Sequence, residues 1–369
     1  MSSFLISFVI SAIFTLLVIR HAHLHEAGLD VDLDGIQKVH VHAVPRIGGL
    51  CIFAAVAVNC CISAFRTKEL ALQIGMLLLC SSVAFAGGLV EDFTRKVSPI
   101  RRLGLTFIAA WMGFVLMDAR ISHLHLGFMT WHITSLWIAL PLTILAVAGV
   151  AHAINIIDGF NGLAGVVTIC MLMSLGYVAF QVNDTFVLIA ALVVAGAVGG
   201  FFIWNFPAGM IFLGDGGAYF LGFVLGELSI LLVMRNPDVS SWYALLLLIY
   251  PVFETLFSVY RRVFVRGTPA GMPDGIHLHS LIFRRLVRWA VGREDARALI
   301  RGNSMTSPYL WLLSSLAVVP ATLFWRNTWL LMACTLVFII AYLWLYSRIV
   351  RFRSPRWMMM KRRKTVLRD

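Results

Sequence analysis

The chain has 369 residues, of which 60% are hydrophobic and 13% are charged, with a formal net charge of +12. Soluble domains carry about 25% charged residues, so this composition excludes a soluble globular protein and points to a polytopic membrane protein. The basic excess does not call for nucleic acid, because attraction to anionic lipid headgroups accounts for it.

Eleven apolar runs approach the roughly 20 residues needed to cross a hydrocarbon core of about 30 Å. They lie near Phe4–Ile19, Ile47–Phe65, Ala71–Val90, Leu103–Met117, Leu136–Ala151 and Leu163–Phe180. The rest lie near Phe186–Trp204, Ala218–Met234, Trp242–Tyr260, Pro308–Trp325 and Trp329–Tyr346. The expected fold is an all-α polytopic membrane protein. The first run is followed by Arg20 and a further span, which reads as an uncleaved anchor rather than a signal peptide. The small residues of Gly196–Gly200 suit close helix packing. Cys51, Cys60, Cys61, Cys80, Cys170 and Cys334 all fall in apolar runs without metal-ligand spacing, and read as packing residues.

Basic residues divide unevenly between the two sets of connections. All but Arg66, Lys68, Arg120, Arg235 and Arg326 lie in the loops after the odd-numbered spans or in the C-terminal tail. The positive-inside rule then puts the N-terminus outside and the C-terminus in the cytoplasm. A single transmembrane catalytic domain over residues 1–347 is expected, followed by a basic cytoplasmic tail, 348–369, at the membrane surface. Its cytoplasmic loops cover 20–46, 91–102, 152–162, 205–217 and 261–307.

Four of these loops gather polar residues. Glu91-Asp92 ends the third span, with Arg95, Ser98-Pro99 and Arg102 behind it. Adjacent carboxylates need a cation or basic neighbours to stay ionised, although a solvated helix end is the plainer reading. Ser98-Pro99 reads as the N-cap and first residue of the fourth span. His152 through Leu163 carries Asn155 and Asp158 three residues apart, and glycines bracket Asn161. A polar turn between spans would look the same. Asn205, Phe212 and Gly214-Asp215-Gly216-Gly217 precede the eighth span. An aspartate among glycines at a helix start suits a phosphate, with Asp215 holding a magnesium ion that the phosphate carries. An N-capping aspartate is the alternative there. The long loop carries Arg261, Arg262, Arg266, Asp274, His277 and His279. Phosphate contacts suit these residues better than zinc, which would want further ligands. Lys38 and Arg46 add basic groups before the second span, and His21, His23 and His25 read as interfacial.

These groups lie at span ends on one membrane face rather than at mid-bilayer. A site that meets a soluble anionic substrate and a lipid headgroup together fits that arrangement better than an ion pathway.

The chain resembles the polyprenyl-phosphate N-acetylhexosamine-1-phosphate transferases over roughly residues 35–285. Their aspartate pair falls on Glu91 and Asp92, and their NAxNxxDGxDGL motif on His152, Asn155, Asp158, Gly159, Asn161 and Gly162. FxGDxG falls on Phe212 and Asp215, and HxHH on His277 and His279. Glu91, His152, Glu254 and Ser280 depart from the family residues, and Asn161 stands where some members have Asp. The resemblance implies transfer of N-acetylhexosamine-1-phosphate, with GlcNAc-1-phosphate as the default, from a UDP-sugar to undecaprenyl phosphate. UMP is released, and surface-polysaccharide or O-antigen synthesis begins. A longer histidine motif is missing, which disfavours the peptidoglycan branch.

Under that resemblance Glu91, Asp92, Asp215, His277 and His279 form the catalytic set. Lys38, Arg46, Asn155, Asp158, Asn161, Asn205, Phe212 and Arg266 contact substrate, and Asp215 and Asn155 hold magnesium or manganese. The implied setting is the bacterial inner membrane, with the site cytoplasmic and a homodimer compatible. A transporter or flippase of a lipid-linked or anionic solute is the alternative, but it calls for mid-membrane polar groups and repeated halves. A CDP-alcohol transferase would carry a DGxxAR motif, whereas Asp158-Gly159 continues as Phe160-Asn161.

Overall fold

With no water in a bilayer core, a spanning chain must satisfy its backbone internally, and helices do this within one segment. The computed structural model describes residues 2–22, 29–30, 44–65, 67–267, 276–287 and 296–351, and helices dominate them. Lys38, His23, His25, Asp274 and the tail beyond residue 351 lie outside the described residues.

The helices are α1 (Ser2–Arg20), α2 (Gly48–Ala64), α3 (Lys68–Thr94), α4 (Pro99–Leu116) and α5 (Leu136–Ile157). They continue with α6 (Leu163–Gln181), α7 (Thr185–Asn205), α8 (Gly214–Arg235), α9 (Ser241–Leu247) and α10 (Ile249–Tyr260). A π-helical turn, Arg261–Val265, leads towards α11 (Leu278–Ile282), and α12 (Ala296–Leu323) and α13 (Thr328–Val350) close the described chain. Two short antiparallel pairs complete it: β1 (Leu29–Asp30) with β2 (Val44–Pro45), and β3 (His123–His125) with β4 (Thr130–His132).

Every expected span has a counterpart, in three forms. Among the described residues, nine helices are long and apolar enough to cross a membrane alone. The second run forms the 17-residue α2. The ninth is broken: α9 and α10 meet at 69°. Pro251 explains the break, because its ring conflicts with the carbonyl four residues earlier, that of Leu247 at the end of α9.

The core is organised on α8, where every residue except Asp215, Met234 and Arg235 is buried. A helix apolar on all sides belongs in the middle of a bundle, and α2, α3 and α5 pack around this one. At the periphery α1 lies on α7 through the expected small residues. A Cβ on Gly196 would stand 2.3 Å from the Phe4 carbonyl oxygen, and one on Gly200 would stand 2.2 Å from that of Phe8. Ser98 caps α4 by accepting the Arg101 N–H at 3.4 Å, with Pro99 as first helical residue.

Candidate active site

The start of α8, the ends of α3 and α5, the first turn of α4 and the segment before α2 meet at one end of the bundle. Asp215 is their common point. Its Oδ2 pairs with Arg102, its Oδ1 accepts from the Asn155 amide at 3.1 Å, and Arg46 approaches Oδ1 at 3.7 Å. The arginine and asparagine reach it because α4 begins at Pro99 and α5 runs on to Ile157.

The backbone is built to hold Asp215 there. Gly214 adopts φ +78°, a left-handed conformation that a side chain would strain, and a Cβ would also meet the Arg46 carbonyl oxygen at 2.0 Å. Asp92, only 3% exposed, caps the helix start. Its Oδ1 accepts the Asp215 N–H at 2.8 Å and its Oδ2 the Gly216 N–H at 2.9 Å. Both oxygens of this expected catalytic residue therefore satisfy the orphan N–H groups of α8. Glu91 turns elsewhere: its Oε2 accepts the Val97 N–H at 2.7 Å and shapes the turn from α3 to α4.

Asp158 ends α5, one residue past the span. Burial, then the nearby Asp215 carboxylate, pushes its carboxyl up to about 7, against the pull of Arg46. A carboxyl whose ionisation is opposed by a neighbouring carboxylate leaves room for a cation between the two.

The remaining expected residues divide. Asn161 and Asn205, expected at substrate, are buried. Asn161 donates its side-chain amide to the Ser304 hydroxyl at 3.3 Å, its backbone N–H goes to Asn303 Oδ1 at 2.7 Å, and its carbonyl accepts the Ser307 hydroxyl at 2.6 Å. Asn205 accepts the Gly162 N–H at 2.6 Å and donates to the Ile211 carbonyl at 2.7 Å. These amides shape the turn between α5 and α6. Phe212 is joined by its backbone to the segment before α2, through Pro45 O at 2.8 Å and Gly48 N at 3.0 Å. Arg266 is exposed at the end of the π-helical turn. His152 meets Thr106 Oγ1 at 3.3 Å and packs edge-on against Tyr219.

The histidine segment lies against the Gly159–Phe160 turn that follows Asp158. The rings of His277 and His279 stack 5.2 Å apart. His279 lies edge-on to Phe160, and its Nε2 is 3.1 Å from where a Cβ on Gly159 would stand. Sequence reasoning noted Arg102 but left it out of the site. Its position four residues after the Ser98 cap, on the first turn of a helix beside Asp92, was the available signal.

Among the described residues no three His, Cys, Asp or Glu side chains converge on a point that would hold a metal by themselves. The donor set is instead carboxylate and amide oxygen, Asp215 with Asp158 and Asn155. Hard cations such as magnesium take one or two such carboxylates and complete their shell with phosphate and water. The residues fit that kind of ion.

Fold and site together define a polytopic membrane protein with a carboxylate–arginine centre at one end of its bundle. A model of glycosyl transferase family 4 matches residues 74–233, which contain Asp92, Asn155, Asp158 and Asp215. The "Probable undecaprenyl-phosphate N-acetylglucosaminyl 1-phosphate transferase" of Bacillus subtilis is 30% identical over 255 residues, 68% of each chain. The "Undecaprenyl-phosphate alpha-N-acetylglucosaminyl 1-phosphate transferase" of Thermotoga maritima is 26% identical, across 70% of this chain and 75% of its own. The "Phospho-N-acetylmuramoyl-pentapeptide-transferase" of Halalkalibacterium halodurans is 29% identical over 68% of this chain and 79% of its own. The chain belongs to glycosyl transferase family 4.

Proposed function

We propose that this protein transfers N-acetylhexosamine-1-phosphate, with GlcNAc-1-phosphate as the first choice, from a UDP-sugar to undecaprenyl phosphate. A lipid phosphate oxygen bonds to the sugar-proximal phosphorus, and the bond from that phosphorus to the bridging oxygen breaks. UMP leaves. The observation that carries this reading is the convergence of Asp215, Asp158, Asn155, Arg102 and Arg46 at one end of a membrane bundle.

One phosphoanhydride replaces another, so positioning and charge neutralisation are what the site must supply. The lipid phosphate, with a second pKa of about 6, is largely dianionic at neutral pH and needs no strong base. That accords with Asp92 being committed to the α8 backbone. Asp215, with Asn155 and Asp158 beside it, would hold magnesium or manganese, which when bound neutralises the donor diphosphate. Arg102 and Arg46 keep Asp215 oriented and supply positive charge for phosphate oxygens. His279 approaches the Asp158–Gly159 turn, with His277 stacked on it, and the two rings would donate to phosphate. Phe212 offers a ring to the uracil. An apolar groove of about 400 Å³, lined by Ser82, Val83, Ala86, Gly87, Val90, Val97 and Leu105, runs along α3 and ends close to Glu91. It suits the prenyl chain.

The test is UMP release by purified protein in detergent with undecaprenyl phosphate, a panel of UDP-N-acetylhexosamines, and magnesium or EDTA. Magnesium-dependent UMP from one donor establishes the reaction and the sugar together. Absence of UMP from every donor, with folded protein and a working control enzyme, rejects it. Asp215→Asn is expected to fold and to lose magnesium-dependent transfer, and normal turnover by that variant would sink the metal assignment.

A further inference from the structure

Glu254 lies within α10 with 1% of its surface exposed. A carboxylate persists in such a place when it is paired and its lone pairs are satisfied. Its Oε1 accepts from His277 Nδ1 at 3.2 Å and from the Leu278 N–H at 2.9 Å, and its Oε2 accepts the Tyr342 hydroxyl at 2.6 Å. One side chain thus joins α10, the start of α11 and α13. No cation of the Asp215 centre is involved.

The surroundings of His277 define what this bond does. Tyr342 faces Glu254 from α13, and Tyr346 on the same helix accepts from Arg261 at 2.6 Å. Tyr250 lies on the helix of Glu254 itself, fully buried. His279 is stacked on His277 and leads on to Phe160 and Gly159. Of the groups that face His277, Glu254 is the carboxylate in hydrogen-bond contact with the ring. A carboxylate on Nδ1 fixes the ring's orientation, keeps the proton on that nitrogen and favours the imidazolium. The remaining donor is then Nε2–H.

We infer that Glu254 is a positioning residue for the transfer: it holds His277 with Nδ1–H turned into the protein, so that Nε2 is the ring nitrogen left to a substrate phosphate. The inference rests on the proposed reaction, in which His277 meets phosphate. Leu278 adds a reason for the geometry, because its N–H on the same oxygen sets the first residue of α11 and so the direction in which His279 leaves.

Two readouts on the full-length protein in detergent test it. The first is UMP release against pH, with kcat and KM separated. The second is the pH dependence of diethylpyrocarbonate modification of the His277 peptide, followed by mass spectrometry, because the reagent takes only the neutral ring. Glu254→Gln keeps the size and an acceptor oxygen but removes the charge. It is expected to lower kcat about tenfold or more at alkaline pH, with KM changed less. The alkaline limb of the rate profile and the onset of His277 modification should both move to lower pH. Glu254→Asp, which keeps the charge at shorter reach, should keep both curves near their wild-type positions while kcat falls.

In Glu254→Gln, equal loss of rate at every pH with unmoved His277 modification would reduce Glu254 to a packing residue. Wild-type kcat in either variant would do the same. If Glu254→Gln does not fold, the wild-type modification curve decides: an onset at higher pH than in the urea-unfolded protein upholds the coupling, and an onset at the same or lower pH overturns it. Wild-type protein that releases no UMP, while the modification curve still shifts in Glu254→Gln, ends the proposed reaction and upholds the Glu254–His277 coupling.

Discussion

Both oxygens of Asp92 accept N–H groups from the first turn of α8, so Asp92→Asn sets an amide N–H against a backbone N–H. Leaving such a buried donor unmatched costs about 1–3 kcal/mol. The expected variant is less stable and slower, with an unchanged pH–rate profile, because what it loses is the placement of Asp215. A displaced profile at wild-type thermal stability would instead give Asp92 a role in proton transfer. Asp158 makes the opposite case. Its carboxyl ionises near 3.8 in an unfolded chain and about 7 in the fold. A raised folded value means stability that is full below the unfolded pKa and is lost as pH rises through the folded one. Asp158→Asn removes that loss. Its melting temperature in metal-free buffer should exceed that of wild type at about pH 8 and converge with it in acid, while transfer disappears. An equal or lower melting temperature at about pH 8 would show that Asp158 is not strained by Asp215.

Elements were far more legible in the sequence than the tasks of single polar residues. An apolar run announces a span because lipid offers the backbone no partner, and Ser98-Pro99 announces its helix because a cap acts over three residues. Asp92 and Asp215 are joined across 123 positions, and Asn161 and Asn303 across 142. No local pattern encodes which amide such a side chain will meet. Asn161 and Asn205 were therefore legible as polar residues near a site but not as braces of its turn. The break at Leu248 was hidden for a related reason. The ninth run is apolar on both sides of the break, and only Pro251 marks the bend that carries Glu254 towards His277. At Gly200 the sequence was explicit. A Cβ there would stand 2.2 Å from a backbone oxygen of α1, an atom that cannot step aside. Gly200→Leu should expel α1 from α7, at a cost of about 3 kcal/mol or more, since overpacking of a close contact costs 1–3. Faster proteolysis after Arg20 is the measurement, and unchanged proteolysis would show that α1 docks by other contacts.

Across the whole molecule, the site and the basic residues fall at the same ends of the helices. Arg46, Arg102, Asp92, Asn155 and Asp215 meet at one end of the bundle, and His277 lies at that end too through Glu254 and the Gly159 turn. Arg120, Arg235 and Arg326 lie at the opposite helix ends, with the hairpin of β3 and β4. Lys and Arg are retained on the cytoplasmic side of a bacterial membrane as it is built, and nucleotide-sugars are soluble metabolites that a site must reach from water. On both grounds, the second of which rests on the proposed donor, we propose that the Asp215 end faces the cytoplasm. Reporter fusions separate the two orientations. Green fluorescent protein joined after Asp369 should fluoresce, and alkaline phosphatase inserted at Phe128, in the hairpin, should be active only if that hairpin lies outside. The reverse pair of results would place the carboxylate–arginine centre outside. A cytoplasmic UDP-sugar could not then be its donor, whatever the geometry around Asp215.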